Sequence, residues 1–318
     1  MKRILAVFIV LLLTLAGCSN TTVNDDTAVI ETEEKTKSEM IGMTDYEEYG
    51  GADSYGNAGD HADSIYYVNP DFYNMVSNDH LTIITNFQTA QQTTEWSCGN
   101  VATLMVLNHY GISADEMDLA IAMGSSVDND TVGALPGSAD NFPEYGSSVV
   151  DIANYIATRD DLKIVETSYS NDYSEADLLT LADGVTGNDV GNLPKTFSAM
   201  SLYTTDNDDT SENWVSDAAD SYFVKWLVGN LNANRLIMVE WSDWDGHWQV
   251  IIGYDSMSTP SLGDDMLIFA DPYDTSDHWQ DGYYYYPLER WFYMWADRNV
   301  APKPFQLQPY IIIEPVSE

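Results

Sequence analysis

Five apolar runs follow one another through the C-terminal part of the chain: RLIMVEW at 235–241, HWQVIIGY at 247–254, MLIFA at 266–270, YYYYP at 283–287 and PYIIIE at 309–314. Each is short, rich in β-branched or aromatic residues and set off by turn-forming residues, the pattern of strands in a sheet. Runs this closely spaced predict a mostly antiparallel sheet, since parallel neighbours need longer crossovers. Upstream the period changes. Val101, Leu104, Met105 and Leu107 recur at helical spacing, with Gly111 as the stop. Further helices are expected at 115–123, 147–158, 175–182 and 217–231, the last carrying Ala218, Tyr222, Phe223, Trp226 and Leu227 at three- and four-residue intervals. Helices first and strands second predict an α+β domain with segregated layers, a helical layer packed on an antiparallel sheet. No internal repeat is visible.

This domain is expected over 81–318, about 240 residues, enough for one substantial core. From Ser19 to about Asp60 the chain is mainly Thr, Asp, Glu, Ser and Gly. Such a segment buries too little apolar surface to offset its ordering entropy, so 18–80 reads as an acidic flexible stalk. Within it, 62–80 could instead be a tyrosine-bearing arm packed on the domain. The first residues, MKRILAVFIVLLLTLAGCSN, place Lys2 and Arg3 before an apolar run that is too short to span a bilayer comfortably. They read as a signal peptide over 1–17. Leu15, Ala16, Gly17 and Cys18 resemble a bacterial lipobox. The resemblance implies a lipid thioether on Cys18 and an extracytoplasmic protein tethered to a bacterial membrane. The formal charge of −39 repels nucleic acid and anionic lipid, so the membrane tie is expected to be the lipid, with no nucleic-acid partner.

With Cys18 lipidated, Cys98 is a single thiol in a compartment that favours disulfides, which calls for a reason. It stands in TTEWSCGN at the start of the first expected helix, where unsatisfied backbone N–H groups and the helix dipole favour a thiolate. A nucleophilic cysteine also needs a base. Of the five histidines, His61 lies in the stalk and His80 just before the domain. His109 sits at the far end of the cysteine's own helix, roughly 16 Å away at about 1.5 Å per residue. His247 opens a strand behind the turn-rich SDWDG, so a rigid element holds its imidazole. The next expected strand ends in Asp271 and Pro272, where a carboxylate could orient that ring. His278 is a weaker rival base in an acidic loop. An oxyanion donor is also required. Gln92, six residues before Cys98, is the first candidate, with Gln91 and Gln88 as competitors.

QTTEWSCGNVATLMVLNHYG, then GHWQVIIGYD and FADPYD, resemble the papain-like cysteine peptidases related to bacteriocin-leader-processing enzymes, the thirty-ninth cysteine-peptidase family and its free-standing relatives. The likeness covers three blocks within 88–275. It implies a papain-like fold with Cys98 as nucleophile, His247 as general base and acid, Asp271 as its orienter and Gln92 as oxyanion donor. It implies a peptide or protein substrate and no cofactor. The leader-processing members are usually fused to an exporter, yet this sequence has no GxxxxGK[ST] loop and no later membrane span, so an exporter is not expected. Cys98 and His247 are 149 positions apart (247 less 98), and 124–212 is expected to be a helical insertion shaping the cleft.

Carboxylates at 205–212 and 271–282 have spacings that could wrap calcium, but neither matches the twelve-residue calcium loop. Zinc would be short of ligands at Cys98, His247 and Asp271. The aromatic run WQDGYYYYPLERWFYMW reads as core and cross-strand pairs before it reads as a sugar platform. Two rival functions share the same pocket: a catalytically idle module that binds a peptide or surface polymer, and an acyl-transferring, transpeptidase-type relative.

Overall fold

In the computed structural model the five C-terminal runs become β5 (Ile237–Trp241), β6 (His247–Asp255), β7 (Met266–Ala270), β8 (Tyr283–Pro287) and β9 (Tyr310–Pro315). Residues 41–42, 70–94, 96–125, 146–169, 193–241, 246–274, 281–296 and 305–316 are described, all within one unit, Lys37–Glu318. Three strands were not anticipated from the apolar pattern: β2 (Leu81–Ile83), β3 (Ala90–Gln91) and β4 (Leu162–Thr167). A two-residue strand, β1 (Ile41–Gly42), pairs in parallel with β3.

Seven strands form an antiparallel sheet in the order β4-β9-β5-β6-β7-β8. Beyond the end of β5, β2 continues along the same edge of β6, with Leu81 opposite Asp255. Strand β6 is therefore the central plank, and all nine of its residues are buried. Val250 faces Ala270 across the β6–β7 pair. That register brings the residue after β7, Asp271, back beside the start of β6.

Among the described residues five α-helices accompany the sheet: α1 (Cys98–His109), α2 (Glu116–Met123), α3 (Val149–Ala157), α4 (Tyr222–Asn232) and α5 (Leu288–Met294). Every residue of α1 from Cys98 to Leu107 is buried, as expected of a helix that is apolar all round and enclosed by its neighbours. It ends at Tyr110, and Gly111 turns the chain at φ +76°. Asp115 caps α2 by accepting from the N–H groups of Met117 and Asp118. The segment read as one helix over 217–231 breaks at Ser221, whose hydroxyl caps α4 after a short 3-10 turn.

Alternation along the strands sends side chains to both faces. Trp248 turns toward α1, meeting Gly99 and donating its indole N–H to Ser147 O at 2.7 Å. Across the sheet Phe269, Tyr310, Trp291 and Trp295 build an aromatic cluster with Phe197, Phe223 and Trp226, which seats α4 and α5. Tyr283, Tyr284, Trp291 and Phe292 are buried, whereas Tyr285 and Tyr286 are half-buried and Tyr293 is exposed, so only part of the aromatic run is core; its second half is the helix α5.

Phe72 is 3 % exposed and packs on Tyr283 and Tyr285. Packed structure thus reaches back at least to Pro70, ahead of Leu81. Inside the stretch read as an insertion, α3 packs on β4, and β4 pairs with β9 as an edge strand of the main sheet. The expected helix at 175–182, most of the stalk, Cys18, His61 and His278 lie outside the described residues. Among the described residues no helix is long and apolar enough to cross a membrane.

Candidate active site

Cys98 is the first residue of α1 and a free, buried thiol. Ser97 occupies the N-cap position but makes no capping bond. Its hydroxyl is used elsewhere, donating to Glu116 Oε1 at 2.5 Å. The first N–H groups of α1 are therefore left without a side-chain cap, the condition in which a helix start can receive negative charge. Gly99 follows because α1 approaches its neighbours closely there: a Cβ would stand 3.1 Å from both Ser147 Cβ and Trp248 Cδ1.

His247 begins β6, and its imidazole stands close enough to the Cys98 side chain for the two to interact electrostatically. Its Nε2 meets Asp271 Oδ1 at 2.6 Å, which leaves Nδ1 for the sulfur. Both side chains of the histidine–aspartate pair are buried. Burial alone would lower the pKa of His247. The Asp271 carboxylate, through charge and hydrogen bond, and then the Cys98 sulfur outweigh it and hold the imidazole well above its ordinary range. Burial would likewise raise Asp271, but His247 and the N–H groups of Tyr273 and Asp274 hold that carboxyl below its usual value. The three side chains, drawn from three places far apart in the chain, come together, with a hydrogen bond joining the histidine to the aspartate.

The loop that carries Asp271 is fixed by Gly282. Asp271 N–H donates to Gly282 O at 2.8 Å, and Gly282 N–H donates to Asp274 Oδ2 at 2.6 Å. Gly282 has φ +82°, and a Cβ there would lie 2.5 Å from Thr89 Cβ, so no other residue fits without moving the loop.

Gln92 is 1 % exposed and lies against the same loop, its backbone N–H donating to Pro272 O at 2.8 Å. Its Nε2 gives one hydrogen to Thr94 O at 2.7 Å. The second has no partner among the described residues and is free to donate. Gln91 is half-buried in β3, and Gln88 Nε2 lies 3.5 Å from Thr89 O. His109 is at the distal end of α1, bonded to Asn234 Oδ1 at 3.1 Å. His80 pairs with Asp255 at the other end of β6.

Reading the sequence missed the polar residues that surround Cys98. Glu116, Thr93 and Thr94 lace the loop before it. Asn100 Nδ2 donates to Ser125 and Ser147 at 3.1 Å each. Burial pushes the Glu116 carboxyl up, against the hydrogen bonds from Ser97 and Thr93. No local pattern marks these residues, because Glu116 follows an N-cap aspartate and looks like an ordinary acidic first turn.

The carboxylates once considered for calcium at 205–212 turn to the protein's own donors. Asp206 Oδ2 accepts from Ser211 and Asn213, Asp208 from Thr210, and Asp209 pairs with Lys195. Among the described residues no group of three or more His, Cys, Asp or Glu is placed to hold a metal ion. Comparison of the chain with protein-family models, with curated proteins and with solved structures finds no match in any of the three.

Proposed function

We propose that the protein is a cysteine peptidase of papain-like fold, cleaving peptide or amide bonds in an extracytoplasmic space, where the lipid on Cys18 tethers it to the membrane. One observation carries the reading: the buried His247–Asp271 hydrogen bond, with the Cys98 thiol at the start of α1 beside the imidazole. In the reaction the sulfur bonds to the substrate carbonyl carbon, and the C=O pair moves onto oxygen. The thiol proton passes to His247 Nδ1, and Asp271 stabilises the resulting imidazolium without itself taking the proton. The oxyanion is met by the Cys98 backbone N–H and the free N–H of Gln92. Collapse returns the proton to the leaving amine and leaves a thioester, which water hydrolyses by the reverse sequence.

Cys98→Ala should abolish hydrolysis of fluorescent casein and labelling by iodoacetamide while leaving the circular dichroism unchanged. Undiminished hydrolysis by that variant would refute the assignment. The idle binding module is separated by the rate of Cys98 alkylation against pH. A profile that titrates near the free-thiol value of about 8.5 favours it. Trapping with an added amine tells acyl transfer from hydrolysis.

A further inference from the structure

Glu116 has no part in the chemistry just described, yet it is a fully buried carboxylate, and no basic side chain forms an ion pair with it among the described residues. Burying a charge unpaired is costly unless hydrogen bonds compensate. It receives three, all from the loop between β3 and α1. Thr93 donates its backbone N–H at 3.0 Å and its hydroxyl at 3.0 Å, and Ser97 donates its hydroxyl at 2.5 Å. Inside the same loop Thr94 Oγ donates to Ser97 Oγ at 2.8 Å and accepts from the N–H groups of Ser97 and Trp96 at 3.0 and 3.3 Å. One carboxylate thus ties both ends of the loop to the start of α2.

The two residues it grips flank the two oxyanion donors. Gln92 immediately precedes Thr93, and Cys98 immediately follows Ser97. Gln92 is further fixed by its own bond to Thr94 O, inside the clamped segment. Moving either end of the loop would change the separation between the Gln92 amide and the Cys98 N–H, on which stabilisation of a developing oxyanion depends. From this we infer that Glu116 is the positioning residue of the oxyanion site. It acts by hydrogen-bonding geometry and touches neither substrate nor the Cys98–His247 pair. The inference rests on the cysteine-peptidase reading.

Two reagents separate this role from a general structural one. A peptide aldehyde adds to Cys98 with bond formation between sulfur and the carbonyl carbon, and the C=O pair becomes an oxyanion that needs the donors. Iodoacetamide alkylates the same sulfur by expelling iodide and forms no oxyanion. In the full chain, Glu116→Ala should weaken binding of a panel of acetyl-dipeptide aldehydes by about 100-fold, the scale of losing one oxyanion donor. Ser97→Ala, which frees only the Cys98 end, should weaken it by about 10-fold. Glu116→Gln keeps the acceptor oxygen and should stay within about 5-fold of wild type. All three should be alkylated by iodoacetamide within about 3-fold of the wild-type rate. If Glu116→Ala does not fold, Ser97→Ala and Glu116→Gln decide the matter. The role is overturned if wild type binds the aldehydes and Glu116→Ala and Ser97→Ala bind them equally well, or if alkylation falls in parallel with aldehyde binding. A wild-type protein that binds no aldehyde and resists iodoacetamide removes the peptidase reading itself, and the role with it.

Discussion

Strand β6 carries a histidine–aspartate pair at each end. At its start His247 meets Asp271 at 2.6 Å, with side chains 4 % and 0 % exposed. At its finish Asp255 meets His80 at 2.8 Å, with side chains 8 % and 38 % exposed. The two ends are about 27 Å apart at ~3.4 Å per residue. Pairing and distance are nearly the same, yet the surroundings differ. The first imidazole is sealed and has the Cys98 thiol beside it. The second opens on a groove of about 740 Å³ lined also by Asp217, Lys225 and Tyr254, and its Nε2 has no partner among the described residues. Asp264, Asp255 and Asp217 are near enough at that end to raise the proton affinity of Asp265. A histidine–aspartate pair is therefore not itself a catalytic unit. The third group and the exclusion of water make it one.

The comparison is broken most sharply by substituting each pair in turn. Removing the base in His247→Ala should lower kcat/KM on fluorescent casein by about 10⁴-fold, the upper range for a general base that also activates the nucleophile. His80→Ala should leave it within 2-fold, roughly the scatter of a surface change. Asp271→Asn should cost less than His247→Ala. The amide oxygen can still accept from Nε2–H and keep the ring's tautomer, but it no longer stabilises the imidazolium by charge. If Asp271→Asn and His247→Ala fell equally, the division into base and orienter would be wrong. If His80→Ala fell with them, both ends would belong to one mechanism.

The two ends should also respond to pH differently. At the Cys98 end the imidazole is held above its ordinary range and the carboxyl below. The histidine's share of stability is complete below its unfolded pKa of 6.5 and is lost as pH rises through the higher folded value. The aspartate's share is complete above 3.8 and is lost as pH falls through its lower folded value. The pair is therefore fully stabilising between those limits. At the far end, burial and then the charges of Asp264, Asp255 and Asp217 push Asp265 up to about 6, against a hydrogen bond from Tyr254 at 2.6 Å. One of its oxygens is buried without a partner. The folded protein holds that proton where the unfolded chain has released it, so stability falls as pH rises from 3.8 through about 6. Asp265→Asn, which can still accept from Tyr254, should raise thermal stability at pH 7.5 and not at pH 3.5. The ceiling on that gain is about 3 kcal/mol, some two pH units at ~1.4 kcal/mol each. Equal melting curves for the two proteins at pH 7.5 would show that Asp265 ionises freely there.

Much of this contrast was legible in the sequence. The strands β5 to β9 are apolar runs bounded by turn residues, and α1 is a periodic segment ending in glycine, so the α+β class followed from period alone. Cys98, His247 and Asp271 could be chosen because each stands at the edge of an element that the pattern marks. What escaped was everything set by tertiary contact. β2 and β3 are too short to show a period, and β4 (LKIVET) is a half-buried edge strand whose alternation is weak. The sequence LERWFYM reads as strand by its aromatics, but it follows Pro287 and buries Leu288, Trp291 and Phe292 as α5. Glu116 resembles an exposed helix-start carboxylate until the Ser97 hydroxyl is seen 2.5 Å away. His80 was dismissed for its position outside the expected domain, whereas the reason it is no base for Cys98 is the length of β6.

The smallest expected effect tests whether the far pair matters to the fold. His80 is over one-third exposed, and an ion pair or hydrogen bond in that setting contributes up to about 1 kcal/mol, less at high salt. Asp255 does more. It also accepts from the Met257 N–H at 2.8 Å and so supports a turn in which Met257 and Ser258 both adopt positive φ, +52° and +60°. His80→Ala should therefore cost less than about 1 kcal/mol in urea unfolding, with a difference that shrinks as salt is added. Asp255→Ala should cost more than His80→Ala, with little response to salt, because a turn with two residues at positive φ loses the acceptor of its Met257 N–H. If His80→Ala proved as costly as Asp255→Ala, the histidine would be holding β2 against β6. The groove end would then be a structural joint of the sheet, and the difference between the two ends would lie in the thiol alone.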